Sequence, residues 1–210
     1  MLETVRDVAR SYFDGSVGPA HDWHHVERVE ALARRLAADR TDLDETTLFL
    51  AVYLHDIGRP AELAGEVDDH AVWGATEAGR IIDEQGGDDE RIEPVAHCIR
   101  AHRYSNDVEP ETPEARILSD ADNLDALGAI GVARVFSHGA ERGAPIYDPA
   151  LRVDADDSAA GRTSANHIRT KIFDLPNRMY TSAGRQLAEE RVQFVRQFVD
   201  RLEAEAAGDR

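Results

Sequence analysis

The chain has 210 residues, a formal net charge of −17 and a single cysteine, Cys98. This length favours one compact domain, and the acidic charge argues against non-specific binding to nucleic acid or to an anionic membrane. One cysteine excludes an internal disulfide and indicates a reducing, cytoplasmic setting, and no apolar run approaches the roughly 18 residues of a membrane span.

Apolar residues recur with the helical period along most of the chain, and strand patterns are scarce. The sequence therefore predicts an all-α bundle that forms a single domain over 1–210, with a C-terminal helical extension at about 164–207. The polar stretch 147–163 is expected to be a long loop, either a lid or a disordered segment. The predicted helices are 2–13, 21–38, 41–56, 68–85, 88–102, 115–136, 166–179 and 183–207.

A histidine and an aspartate, His55 and Asp56, end an apolar run that begins at Leu48. Adjacent side chains point about 100° apart on a helix, so both can reach one ion only near a helix end. Gly58 follows, and glycine is the usual residue just past a helix C-terminus. Imidazole and carboxylate together suit a divalent transition ion. Taken alone, the pair favours a solvated helix end, and the rest of the chain has to support the metal site.

Further histidines and carboxylates occur on other predicted helices. His21 and His25 are four residues apart and share a helix face. His70 begins the fourth predicted helix, and His102 ends the fifth. Asp122 lies in an otherwise apolar helix, where an ionised carboxylate needs a partner that a metal would supply. A core or surface histidine and a solvated acidic face are the alternative interpretations.

The order of His25 and Arg28, then His55 and Asp56, then Asp122 resembles the HD superfamily of metal-dependent phosphohydrolases. The resemblance implies an HD-domain helical bundle in which His25, His55, Asp56 and Asp122 hold a divalent ion. The identity of the ion is left open among Mn, Fe, Co, Ni, Zn and Mg, and a second metal is an alternative.

Three further segments, 119–134, 147–149 and 166–198, are similar to a subgroup of small stand-alone HD proteins. Some bacterial members of that subgroup are nucleoside triphosphate pyrophosphohydrolases. Asp120 competes with Asp122 for the fourth ligand position, because two residues so spaced on a helix cannot easily face one ion. Asp122 is favoured, since the aspartate of the family usually follows alanine.

Residues near the ligands are assigned to catalysis. Asp56 can both ligate the metal and orient the attacking water, Arg59 follows closely enough to reach a bound phosphate, and His21 is assigned to the same step. His70 and His102 match positions that hold a second metal in binuclear HD phosphodiesterases. Alternatively, these two histidines line the pocket and contact either a phosphate group of the substrate or a water molecule.

More distant residues are predicted to contact the substrate. Arg28 is one turn from His25 and can bind phosphate or form an ion pair. Lys171 and Arg178 lie seven residues apart on one predicted helix and can share a face toward the substrate. Glu62 is either an acid that assists hydrolysis or a surface glutamate, and Tyr104 is a candidate for stacking on a base.

The sequence thus predicts a metal-dependent hydrolase of a phosphate ester or anhydride in a small phosphorylated molecule, with a nucleotide favoured. Release of pyrophosphate from a triphosphate, of phosphate from a monoester, and opening of a cyclic nucleotide are the three forms considered. The alternatives are a non-catalytic nucleotide-binding regulatory module and a two-iron oxygenase. A homo-oligomer is compatible with the sequence. Phosphate-loop and nucleophile-elbow motifs are absent.

The basic residues are strongly skewed, because Lys171 is the only lysine and all the others are arginine. We interpret an acidic chain almost without lysine as a sign of a salt-adapted, GC-rich source. The midpoint of thermal unfolding is therefore expected to rise between low and multimolar KCl. A midpoint that gains nothing from salt would contradict this interpretation.

Overall fold

The computed structural model describes residues 1–13, 15, 17–103 and 108–209. Within these ranges the regular structure is helical and no strand occurs, so the predicted all-α class is confirmed. Tyr104 lies outside the described residues. The α-helices of the described ranges, numbered α1 to α10 in chain order, are Leu2–Ser11, Trp23–Ala37, Glu45–Leu54, Arg59–Leu63, His70–Glu84, Ile92–His102, Pro113–Asp125, Gly128–Glu141, Ser164–Thr170 and Ser182–Ala206. The 3-10 helices are Asp89–Arg91, Val153–Ala155 and Ile172–Arg178.

Capping side chains determine where many of these helices begin. Asp22, Asp44 and Asp69 precede α2, α3 and α5, and each carboxylate accepts hydrogen bonds from backbone N–H groups of the first turn. Thr163 and Thr181 do the same for α9 and α10. The first N–H groups of a helix have no partner within it, so such caps fix the residue at which the helix starts.

The first compact unit consists of Met1–Val17 and His21–Asp122. Its centre is α3, in which every residue from Thr47 to Leu54 is buried. The α3 sequence is apolar on nearly all sides, which is the pattern of a helix enclosed by neighbours. Helices α1, α2, α5 and α6 contact it. The His55–Asp56 pair directly follows this enclosed helix and is itself buried.

The second compact unit consists of Gly18–Ala20 and Asn123–Arg210. Helix α8 packs against α9 and α10. The predicted loop 147–163 contains only a short 3-10 helix, and local hydrogen bonds hold its second half. The carboxylate of Asp156 accepts from the backbone N–H of Arg162 at 2.7 Å and from the side-chain amide of Asn166 at 2.8 Å. Among the helices of the described ranges, none has the length and hydropathy of a membrane span.

The predicted continuous helix 115–136 is wrong, because the structure divides it into α7 and α8. Leu127 is extended between the two helices, and Gly128 has a φ of +71°. Glycine adopts this left-handed conformation without the steric cost that a side chain brings. A single glycine in an apolar segment therefore starts a new helix at this position.

The predicted helix 166–179 is also divided. Helix α9 ends at Thr170, and a 3-10 helix that contains Pro176 follows. Proline lacks the N–H that an α-helix needs and clashes with the preceding turn, so the α-helical pattern stops before it. The expectation that Lys171 and Arg178 share a face of one α-helix is therefore wrong.

Candidate metal centre

His25 lies in the first turn of α2 and is fully buried. The carboxylate of Asp22 accepts a hydrogen bond from the backbone N–H of His25 at 3.1 Å and so fixes this turn. The Nε2 atom of His25 lies 3.3 Å from Nε2 of His55 and 3.3 Å from Oδ1 of Asp122. The start of α2, the end of α3 and a turn of α7 thus bring three of the predicted ligands together.

The tautomer of His55 follows from its local contacts. Its Nδ1 lies 2.8 Å from the carbonyl oxygen of Val52, which can only accept, so Nδ1 carries the proton and donates. Burial lowers the pKa of His55 to about 4, although the charge of Asp56 opposes the shift. The ring is therefore neutral at pH 7, and Nε2 presents a lone pair to His25 and Asp122.

Asp56 extends the group through its Oδ2 atom, which lies 3.6 Å from Nε2 of His25 and 3.3 Å from Nδ1 of His21. His21 was predicted within the second helix, but α2 begins at Trp23, so that prediction is wrong. The His21 and His25 rings nonetheless lie 5.5 Å apart, because the chain passes beside the first turn of α2. The His21 side chain is 26% exposed, so solvent can reach it.

The other oxygen of Asp56, Oδ1, faces a second set of side chains. It lies 3.2 Å from Nε2 of His70 and 3.5 Å from Nε2 of His102. The Nδ1 atom of His102 donates to the carbonyl oxygen of Ile99, so the proton of this ring points away from Asp56. Oδ1 also accepts a hydrogen bond from Nε of Arg59 at 3.1 Å.

The Nε2 atom of His70 is a buried polar atom without a hydrogen-bond partner. Its ring donates from Nδ1 to the carboxylate of Glu62 at 3.0 Å, so Nε2 has only a lone pair to offer Asp56. Two acceptors face each other at 3.2 Å, which is unfavourable unless a cation lies near both.

Both carboxylates of the centre remain ionised. Burial would raise the pKa of Asp56, but the charge of Arg59 and the hydrogen bond with His21 hold it well below its usual range. Burial acts in the same way on Asp122, and the hydrogen bond with His25 outweighs it and lowers the pKa. Arg59 forms an ion pair with Asp56 and so offsets one of the two negative charges of the centre.

These donor atoms fit a divalent metal ion. Nitrogen and oxygen ligands lie about 2.1 Å from such ions, so neighbouring ligand atoms are expected about 3.0 to 3.4 Å apart. The separations of 3.3 Å from His25 to His55 and to Asp122 agree with this range. A cation would also partner the lone pair of His70 and offset the remaining carboxylate charge. The described residues contain three such groups: His21, His25 and Asp56; His25, His55 and Asp122; and Asp56, His70 and His102.

A profile of the HD domain matches residues 22–127, which is half of the chain and contains these groups except His21. The chain belongs to the HD-domain family. HD domains bind divalent metal ions, which agrees with the donor set described above. The resemblance deduced from the residue order is thereby confirmed.

Relatives of this HD protein match along almost its whole length. The YpgQ protein of Bacillus subtilis (strain 168) is 30% identical over 192 residues, which cover 90% of this chain and 85% of YpgQ. A crystal structure of YpgQ in complex with ADP is similar with a TM-score of 0.75 and 27% identity, and the match covers 97% of this chain and 94% of that one.

Two other crystal structures extend the comparison. A protein from Lactobacillus plantarum matches with a TM-score of 0.79 and 27% identity, over 99% of this chain and 97% of that one. A predicted HD superfamily hydrolase from an uncultured Thermotogales bacterium matches with a TM-score of 0.67 and 32% identity, over 97% and 91% of the two chains. The HD protein therefore shares its fold with proteins described as HD superfamily hydrolases.

The structure leaves several predicted substrate contacts outside the groups just described. Arg28 is half-buried on α2, one turn beyond His25. Lys171 and Arg178 belong to the second unit, where Arg178 pairs with Asp174 at 3.2 Å. The substrate-binding roles of Arg28, Lys171 and Arg178 stay predictions.

Asp120, the competitor of Asp122, is fully buried. Among the described residues, the groups that can hold a metal include Asp122 and omit Asp120. Residues two positions apart on a helix point about 200° away from each other. The helix that turns Asp122 toward His25 therefore turns Asp120 to the opposite side.

Sequence reasoning missed Arg103 and gave Glu62 a different role. Glu62 hydrogen-bonds the ring of His70 at 3.0 Å, and Arg103 pairs with Glu62 at 3.0 Å. Arg103 directly follows His102, which is the only signal in the sequence that could have drawn attention to it. This contact joins Glu62 of α4 to Arg103, which follows the end of α6. Helical periodicity gives no information on contacts between residues of different helices.

Gly58, next to the HD pair, does not have the role expected of it. Its φ of −81° is not left-handed, so it is not a conventional C-terminal glycine. A Cβ at this position would instead lie 2.4 Å from the carbonyl oxygen of His70 and 2.9 Å from its Cα. Glycine is therefore required here because the backbone of α5 approaches the HD turn closely.

We expect Gly58→Ala to weaken binding of Mn²⁺ by about 10- to 100-fold, the usual loss when the groups that orient metal ligands are disturbed. The added methyl group must push the start of α5, and with it His70, away from Asp56. Isothermal titration of the metal-free protein measures the effect. Gly74→Ala is the control, since a Cβ there meets Ile57 at an ordinary 3.7 Å. Equal affinities for the two variants would contradict the explanation.

Proposed function

We propose that this HD protein is a metal-dependent phosphohydrolase that converts a nucleoside triphosphate to the monophosphate and pyrophosphate. The observation that carries the proposal is the meeting of two ionised carboxylates and unprotonated imidazole nitrogens in a space that is buried except at Asp122, whose side chain is 22% exposed. Such a set is chemically incomplete without a cation, and hydrolysis of phosphate anhydrides is a reaction that divalent cations assist.

His25, His55, Asp56 and Asp122 would hold the ion. When bound, a divalent ion lowers the pKa of a coordinated water and polarises a phosphoryl oxygen. The polypeptide holds these four groups at helix termini and in the first unit's interior, where they need not rearrange during the reaction. Fixed, water-poor surroundings strengthen the electrostatic stabilisation of charge that develops in the transition state.

The side chains around this set have complementary tasks. Asp56 accepts a hydrogen bond from the water that attacks phosphorus and thereby orients it. His21 contacts Asp56 at 3.3 Å and is partly exposed, so it can take a proton from this water and exchange it with solvent. Arg59 carries a positive charge beside Asp56 and stabilises negative charge on the phosphoryl group.

In the proposed reaction the oxygen of water forms a bond to the α-phosphorus, and the bond from that phosphorus to the bridging oxygen of the β-phosphate breaks. The bridging oxygen leaves with pyrophosphate, and one proton of the water passes to His21. The nucleotide class is supported by the ADP complex of YpgQ, the 30% identical relative. Arg28, Lys171 and Arg178 are proposed to contact the phosphates.

Asp56→Ala is expected to abolish both hydrolysis and metal loading while helical content stays near that of the wild type. The assay uses Mn²⁺ and a panel of ATP, GTP, ADP, AMP and cyclic AMP, with pyrophosphate and orthophosphate measured separately. We expect pyrophosphate from the triphosphates. Asp68→Ala, at an exposed aspartate, is the control and retains activity.

Each contrary result of this panel has a defined meaning. Release of orthophosphate alone would replace the proposed reaction by a phosphomonoesterase. Binding of nucleotides without turnover would support a regulatory module, which is the alternative function. Full activity of Asp56→Ala would overturn the assignment of the site.

We further propose that His70 and His102, together with Oδ1 of Asp56, hold a second ion. The unpartnered Nε2 of His70 favours a second ion over a contact with phosphate. A phosphate oxygen is itself an acceptor and could not partner this lone pair. Elemental analysis at saturating Mn²⁺ is expected to give two ions per wild-type chain, and one for His70→Ala or His102→Ala. His97→Ala, on the same helix as His102, is the control and keeps two. One ion in the wild type would contradict the second site.

A further inference from the structure

Of the four buried histidines of the centre, His55, His70 and His102 carry a proton on Nδ1 that needs an acceptor, and two of them find it locally. His55 and His102 lie at the C-terminal ends of α3 and α6, where each donates to the carbonyl oxygen three residues earlier, that of Val52 and of Ile99. The last carbonyl groups of a helix have no partner in the helix, so they are available for such bonds. The tautomers of these two rings are thus set by their position on the helix.

His70 has no such local acceptor, because it is the first residue of α5. The first turn of a helix presents N–H groups rather than unpaired carbonyls. The acceptor comes instead from α4, where Oε2 of Glu62 lies 3.0 Å from Nδ1 of His70 and Oε1 lies 3.4 Å from its backbone N–H. One carboxylate therefore determines both the position and the tautomer of His70.

None of the five residues of helix α4 is fully buried, so packing alone does not fix Glu62. Polar contacts hold it instead. Arg103 lies 3.0 Å from Oε1 of Glu62 and 2.8 Å from Oδ2 of Asp69. The other oxygen of Asp69 caps α5 through bonds to Ala71 and Val72. Arg103 thus links Glu62, which hydrogen-bonds the His70 ring, to Asp69, which caps the helix that begins with His70.

We propose that Glu62 is a positioning residue that keeps the proton of His70 on Nδ1 and its Nε2 lone pair toward Asp56, and that Arg103 acts through Glu62. This inference rests on the metal centre of the proposed function, but not on the nucleotide reaction. Carboxylates that accept from ligand imidazoles in this way commonly contribute 10- to 100-fold to metal affinity.

The first measurement is the tautomer of His70 in the metal-free protein, read from long-range ¹H–¹⁵N spectra and assigned with His70→Ala. The wild type is expected to show the Nδ1–H form. Glu62→Ala is expected to show a mixture of both tautomers, because the acceptor is lost. Glu62→Gln keeps an acceptor oxygen and is expected to retain the Nδ1–H form. Glu66→Ala, at an exposed glutamate four residues away, is the control and matches the wild type.

The second measurement is Mn²⁺ binding by calorimetry without nucleotide. We expect Glu62→Ala to weaken the affinity by about 10- to 100-fold, Glu62→Gln by less, and Glu66→Ala not at all. Arg103→Ala is also expected to weaken the affinity for Mn²⁺. The double variant Glu62→Ala with Arg103→Ala is expected to bind little more weakly than Glu62→Ala alone, because both substitutions act on the His70 ring. Arg103→Ala also gives an independent test should Glu62→Ala fail to fold.

A wild-type tautomer population or wild-type Mn²⁺ affinity in Glu62→Ala would overturn the inference, and fully additive effects would overturn the part assigned to Arg103. Neither measurement uses a nucleotide. A failure of the proposed hydrolysis would therefore leave these outcomes intact, whereas a change in tautomer without nucleotide turnover would support the positioning role and refute only the reaction.

Discussion

The structure depends on a concentration of acceptors where little water can reach them. The His55 and His70 rings, whose Nε2 atoms carry lone pairs, are fully buried, and Asp56 is 1% exposed. Transfer of an unpaired charge from water to such surroundings costs several kcal/mol, and lone pairs that face each other add to this cost. Arg59 offsets part of it. The surrounding polypeptide must therefore hold in place groups that repel one another in the absence of a cation.

The helix termini accomplish this with different local means. At the ends of α3 and α6, carbonyl groups without helical partners take the protons of His55 and His102. At the starts of α2 and α5, capping carboxylates fix the turns that carry His25 and His70. Side chains at helix termini are thus oriented by the same unpaired backbone groups that make those termini polar. Helix α3, enclosed by its neighbours, brings the HD pair into the interior.

Much of the helical pattern was accessible from the sequence, and the errors have physical causes. Apolar periodicity does not distinguish one long helix from two successive helices. The break at Gly128 could therefore be recognised only from its left-handed backbone. Gly58 was expected to end a helix, but its role is to admit the backbone of His70, which lies twelve residues later in the chain. A glycine that serves close approach and one that serves a turn look identical in sequence.

The sequence by itself determined the all-α class and the approximate extents of α3 and α5, because helical periodicity follows from interactions within a few residues. It also indicated which histidines and aspartates to consider. Only the tertiary structure decided that both oxygens of Asp56 face imidazole rings, and that Glu62 and Arg103 support one of them. Periodicity assigns a residue to a helix face, whereas the distance between two faces depends on how the helices pack.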